Sequence, residues 1–394
     1  MDRRTFLQST SALSAGFLAP SFLSATSRNL LLNPEERKLV VIHLQGGNDG
    51  LNTIIPFVQD QYYNLRPELA IKQGALLKFS DGLGFNPALA KMQELFLQGH
   101  LGIFQGVGYP MPDRSHFRST EIWQTADPLS TNLSDGWIGR WLEHEKQLPY
   151  AAMEVDEQLS LALRNGSGGG MAISNPARLA KIVKDPLFQK INAQNHGHTH
   201  DLPNYLRMTL HQSLEGASAI SSAFQKGKNV ATYPNGKLSQ RLSKIGKLIS
   251  GGSATRIYYL HMAGFDTHVG QAAAHSKLLT ELSDSLNAFV QDLKAQDKWN
   301  STLVMVFSEF GRRVEENAGK GTDHGTAGPV LLLSGALAKA GVYNDHPSLS
   351  DLEEGDLKYT MDFRNIYATI LDEWMHSSPS ALIKSNPTNW NLFF

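Results

Sequence analysis

Five short apolar runs, each bordered by a polar cluster, constrain this chain more than any other feature. They are Lys38–Leu44, Leu101–Val107, Arg256–His261, Thr302–Phe307 and Pro329–Leu333. A continuous apolar run of this length reads as a strand buried on both faces. Helical patterns separate the runs: Pro87 to Gly99, Val269 to Lys294, and Asp362 to His376, where Phe363, Ile366, Tyr367, Ile370 and Leu371 recur at helical spacing. The alternation predicts an α/β fold, a mostly parallel sheet with helices on both faces. From about residue 156 to 251 the pattern becomes helix-rich, and we read this stretch as an insertion within one domain spanning 28–394.

In open α/β sheets, ligands gather beyond the carboxyl ends of the strands. The first run ends in Gln45-Gly-Gly-Asn-Asp49-Gly-Leu-Asn52 and the second leads to Arg114-Ser115-His116-Phe-Arg118-Ser119. The third ends in Gly264-Phe-Asp266-Thr-His268, the fourth in Ser308-Glu309-Phe-Gly-Arg312, and Gly321-Thr-Asp323-His324-Gly325 precedes the fifth. Asp266 and His268, two apart in a loop, can face one ion. Ser115 opens a short helix, where it is either an N-cap or an oxygen nucleophile among exposed amide donors.

Composition narrows the chemistry. The chain has 14 His and no Cys, which excludes thiolate zinc sites, disulfide scaffolds and cysteine nucleophiles. A net charge of -1 gives no basic field for a nucleic-acid partner. The G-x-G-x-x-G spacing of dinucleotide folds is absent from Gly46-Gly-Asn-Asp-Gly50. What remains is a hard site of carboxylates and imidazoles, suited to one or two divalent ions such as zinc, manganese, magnesium or calcium. Two ions roughly 4 Å apart would clamp the attacking and leaving oxygens of a displacement, and Arg118 and Arg312 would grip a tetrahedral oxyanion with forked donors. That combination points to hydrolysis of phosphate or sulfate esters.

These motifs, from Val40 onward, resemble the bacterial family known as domain of unknown function 1501, which is similar in turn to the alkaline-phosphatase and sulfatase superfamily. The resemblance implies metal ligands at Asp49, Asp266, His268, Glu309 and His324 and a nucleophile at Ser115. It also marks a departure: Phe310 stands where the superfamily places a His ligand after its acid, so Asp323 or His116 is expected to substitute or to support from behind. Ser174-Asn-Pro-Ala-Arg178 fits the sulfatase activation pattern by residue type, but it reads as a helix start with Ser174 as cap.

The chain opens Met1-Asp-Arg3-Arg4-Thr-Phe-Leu7, followed by a Ser/Ala-rich stretch broken by Pro20. This is the pattern of a twin-arginine export signal, expected to occupy 1–27 and to send the chain through the twin-arginine machinery to the periplasm or beyond. No run reaches transmembrane length. The His196-Gly-His198-Thr-His200 run reads as a solvent-facing segment. The expected function is an exported metal-dependent ester hydrolase using Ser115 or a water on the ion as nucleophile, its substrate a small ester or a polysaccharide. The alternative is a non-catalytic exported protein that binds a polysaccharide or a partner protein through a degenerate site.

Overall fold

The computed structural model describes residues 36–166, 168–186, 189–190, 202–383 and 390–393. The proposed export signal and the His196–His200 run lie outside them. The main sheet is built from β1 (Lys38–Gln45), β2 (Leu101–Gly108), β3 (Ala152–Glu154), β4 (Met171–Ala172), β5 (Ile257–Ala263), β6 (Thr302–Phe307), β7 (Gly328–Ser334), β8 (Gly341–Val342) and β9 (Met361–Asp362). Its spatial order is β8-β2-β7-β6-β1-β5-β3-β4, with β9 also pairing β2.

β1 lies at the centre, parallel to both β5 and β6, with His43 opposite His261 on one side and Phe307 on the other. Its continuous apolar run serves both faces, because successive side chains of a strand point oppositely. Leu39 and Val41 enter one core, and Val40, Ile42 and Leu44 the other. The sheet is mostly parallel, as expected, and β7 is its exception, running antiparallel to both β2 and β6. That reversal puts the start of β7 on the edge where β1, β2, β5 and β6 end.

Helices α1 (Ala90–Leu97), α2 (His116–Thr125), α3 (Trp137–His144), α4 (Pro176–Val183), α5 (Leu202–Lys226), α6 (Lys237–Ser250), α7 (Gln271–Lys294) and α8 (Phe363–Thr369) cover the sheet. One face packs Trp123 of α2, Trp137 and Trp141 of α3, and Phe363 and Tyr367 of α8. The other packs Met92 and Leu95 of α1 with Leu242 of α6 and Leu279, Leu282, Leu286 and Phe289 of α7. In α7 these recur at three- and four-residue steps, the apolar stripe of a helix lying on a core. The helix-rich stretch therefore shares its core with the rest of the chain: Ile220 and Ala223 of α5 and Leu242 and Ile245 of α6 belong to the same cluster as β1. The cap expected from Ser174 is instead Asn175, whose side chain accepts from the Ala177 N–H at 3.1 Å.

Candidate metal centre

The sheet edge gathers three imidazoles, one from the first turn of α2 and two from loops, around one carboxylate oxygen. Asp266 Oδ1, beyond β5, lies 3.0 Å from His268 Nε2, 3.2 Å from His324 Nε2 and 3.5 Å from His116 Nε2. His268 Nε2 is 2.9 Å from His324 Nε2. The ligand atoms of His116, Asp266 and His324 all fall within 4.8 Å of one another, and His268 stands against two of them. Ligands around a zinc with bonds of 2.0–2.1 Å are about 3.3 Å apart, which is the spacing found here.

The second nitrogen of each ring explains why the Nε2 atoms converge. His116 Nδ1 lies 2.8 Å from Glu309 Oε1, His324 Nδ1 2.8 Å from the Arg114 carbonyl and His268 Nδ1 3.2 Å from Asp323 Oδ1. Each of these oxygens can accept the Nδ1 proton, so with an ion bound the Nε2 lone pairs would be left free to ligate. Metal-ligating histidines are commonly oriented by such oxygen partners. His116 Nε2 is the clearest signal: it is buried and has no hydrogen-bond partner, a cost that a cation would remove. The residues present therefore fit a divalent ion.

Buried Arg312 builds the floor. Its Nε donates to the Gly47 carbonyl and Nη1 to the Thr322 carbonyl, both at 2.7 Å. Nη2 donates to Asp266 Oδ1 at 2.6 Å, to the Phe265 carbonyl at 3.0 Å and to the Gly46 carbonyl. Burial opposes ionisation of Asp266, but the Arg312 guanidinium and His324 hold its carboxyl at about 2. Gly46 is required at this junction: its φ is +121°, and an added Cβ would lie 2.4 Å from the Asp266 amide nitrogen.

Other expected site residues are placed differently. Asp49 is fully buried away from the cluster, paired with Arg66 Nη1 at 2.7 Å and accepting from Gln271. Glu309 is also fully buried, and both of its oxygens are committed. Oε1 accepts from His116 Nδ1 and from the Gly46 N–H, both at 2.8 Å, and Oε2 meets His43 Nε2 at 3.0 Å. It stands behind His116 rather than in the cluster. Burial pushes its carboxyl up, but the hydrogen bonds from His116 and His43 hold it well below the usual carboxylate range. Arg118 is tied to Glu121 at 2.7 Å and to the Pro128 and Ser130 carbonyls, and with Arg312 spent on backbone carbonyls and Asp266, neither arginine is free to clamp an oxyanion. Ser115 is exposed at the N-cap position of α2 with no side-chain capping bond, and its N–H is taken by Asp113 Oδ1 at 2.6 Å. Phe310 fills the expected ligand position with an apolar ring, 4.9 Å from the ring centroids of both His116 and His324.

Behind Glu309 runs a polar row set into the apolar strands. His43 Nδ1 meets His261 Nδ1 at 3.2 Å, and His261 Nε2 reaches Glu154 Oε1 at 3.0 Å and Ser160 Oγ at 2.9 Å. The row crosses β6, β1, β5 and β3 in their spatial order. A histidine inside each of two neighbouring strand runs was the signal available in the sequence.

Comparison with known proteins places the chain. Residues 192–386 match the family described as Protein of unknown function (DUF1501). The matched stretch is just under half of the chain. It carries Asp266, His268, Glu309, Arg312, Asp323 and His324, whereas Asp49, Ser115 and His116 precede it. No curated protein matches the chain. Among solved structures it is similar to the PsFucS1 sulfatase from Pseudoalteromonas sp., with 12% identity, 95% of this chain and 76% of that one covered, and a TM-score of 0.41. A protein in the alkaline phosphatase superfamily from Vibrio parahaemolyticus is similar at 12% identity, 90% and 72% coverage and a TM-score of 0.39. The C-terminal periplasmic domain of EcEptC from Escherichia coli, in complex with Zn, is similar at 11% identity, 76% and 72% coverage and a TM-score of 0.34. Among the described residues no helix is long and apolar enough to cross a membrane.

Proposed function

We propose that this chain is an exported, metal-dependent hydrolase of phosphate or sulfate esters, working with one divalent ion held by His116, Asp266 and His324, with His268 beside them. The observation that carries the reading is the convergence of imidazole Nε2 atoms on Asp266 Oδ1, with one of them, on His116, buried and without a hydrogen bond. Such an ion supplies charge neutralisation at the ester oxygens and a lowered pKa for the attacking hydroxyl. Glu309, Asp323 and the Arg114 carbonyl hold the imidazoles in the ligating tautomer, and Arg312 fixes Asp266. Ser115, at the head of the helix that carries His116, is the side-chain nucleophile candidate; water is the other. Asp49 and Glu309 stand outside the ligand set, which is why one ion is proposed rather than two.

Elemental analysis of protein purified without chelator tests this, with about one equivalent per chain expected and its loss in Asp266→Ala/His324→Ala. A screen of phosphate and sulfate esters follows, in which Ser115→Ala should abolish turnover with the metal retained if the serine attacks. Absence of bound metal after reconstitution would overturn the proposal. One observation favours the non-catalytic alternative: Arg118 and Arg312 are committed elsewhere, so neither of these two guanidinium groups is free to grip an oxyanion. Bound metal with no turnover of any ester would select that alternative.

A further inference from the structure

A cleft of about 560 Å³ opens beside the cluster and shares His116 and Asp266 with it. Its size is that of a small-molecule pocket. One wall is a single face of α2: Phe117, Thr120, Glu121 and Gln124 stand at positions i, i+3, i+4 and i+7 and all line the cleft. Leu161 and Ala263 contribute further apolar surface. Phe117 is 91% exposed, although its neighbour His116 is half-buried. A large aromatic ring held in solvent at the mouth of a cleft is a surface awaiting a flat apolar partner.

Charge sharpens the choice of partner. Among the described residues no lysine or arginine lines the cleft, and its charged lining consists of the carboxylates of Glu121 and Asp266 beside His116. Arg118 pairs with Glu121 at 2.7 Å and spends its remaining donors on carbonyls. Asp266 is likewise paired, with Arg312 at 2.6 Å, so an anionic substituent placed here would find no unspent side-chain cation among the described residues lining the cleft. Thr120 and Gln124 offer hydroxyl and amide groups to a neutral polar rim.

Resting on the ester-hydrolase reading, we propose that this cleft binds the organic group of the ester, and that this group is an uncharged ring with a flat apolar face, seated on Phe117. An aryl ring and a neutral sugar ring share that chemistry. Highly anionic groups, such as polysulfated or polyphosphorylated ones, are excluded.

The test measures affinity, not turnover, using calorimetry on the zinc-loaded mature chain. The probes are phenyl phosphate, glucose 6-phosphate, 4-carboxyphenyl phosphate and inorganic phosphate. At least one neutral-ring ester should bind about tenfold more tightly than inorganic phosphate, the size expected of one ring stacked on an aromatic side chain. Whether phenyl or glucose leads identifies an aryl or a sugar substrate. The 4-carboxy compound should bind several-fold more weakly than phenyl phosphate. In Phe117→Ala, whose exposed position leaves the core intact, the ratio of ring ester to inorganic phosphate should fall toward one while zinc content is unchanged. Equal affinities for all four probes, no binding of any, a preference for the carboxylated ring, or a ratio unaltered in Phe117→Ala would each overturn the proposal. Ring preference without cleavage would refute the hydrolase reading alone, and cleavage without ring preference would refute the cleft alone.

Discussion

Replacing Asp49 with alanine separates two roles that its motif leaves open. If Asp49 ligates metal, the variant loses metal; if it is the buried partner of Arg66, the variant loses stability instead. Both side chains are fully buried, and their contact is 2.7 Å. Arg66 also donates to the Val314 and Arg313 carbonyls at 2.7 Å and to Asn52 Oδ1 at 3.1 Å, so it cannot swing to solvent when its partner goes. Stranding one charge of a buried pair costs about 3–5 kcal/mol. At roughly 1.2 °C per kcal/mol for a chain of this size, thermal unfolding should shift down by about 4–6 °C. Calorimetry and metal analysis on the same samples should show that drop with metal content unchanged. The double variant Asp49→Leu/Arg66→Met should recover most of the loss, because it leaves no charge stranded. Metal lost at an unchanged Tm would refute the reasoning and return Asp49 to the ligand set.

Two further outcomes follow from the same geometry. Glu309→Gln removes the carboxylate that receives His116 Nδ1–H, and zinc affinity by chelator competition should fall about 10–100-fold even though Glu309 touches no ion. Buried His275 is held down to about 4 by desolvation, with Nε2 donating to Asn48 Oδ1 at 2.9 Å. Its unfolded value is near 6.5, so the unfolded chain takes up the extra proton between those limits. Stability is therefore complete above pH 6.5 and declines toward pH 4, by about 3 kcal/mol from this residue; urea midpoints across that range should show the slope, and His275→Gln should flatten it.

The strands and the polar segments that follow them were legible because both are local signals. A short apolar run and a cluster of Asp, His and Arg need no knowledge of the rest of the chain. The direction of β7 was not local: Pro329–Leu333 reads identically whichever way it runs, and only pairing with β2 and β6 decides it. The partners of individual charges were hidden for the same reason. Asp49 finds Arg66 through the fold of the Gly50–Leu69 segment, and Glu309 turns inward because His43, 266 residues away, waits opposite it. Phe310 was noted as a missing ligand; its ring packing against His116 and His324 belongs to three dimensions alone.

The central position of β1 has a consequence for how the molecule comes into being. Its ladder partners begin at Ile257 and Thr302, so the first strand of the described chain has no neighbour until more than two hundred further residues have been made. Chain closure over such separations is slow, and apolar β1 stays uncovered meanwhile. His116 and Asp266 likewise meet only once β5 has docked beside β1. Interruption of synthesis before that point yields a fragment with an exposed strand and without the His116–Asp266 cluster, a natural client for a chaperone.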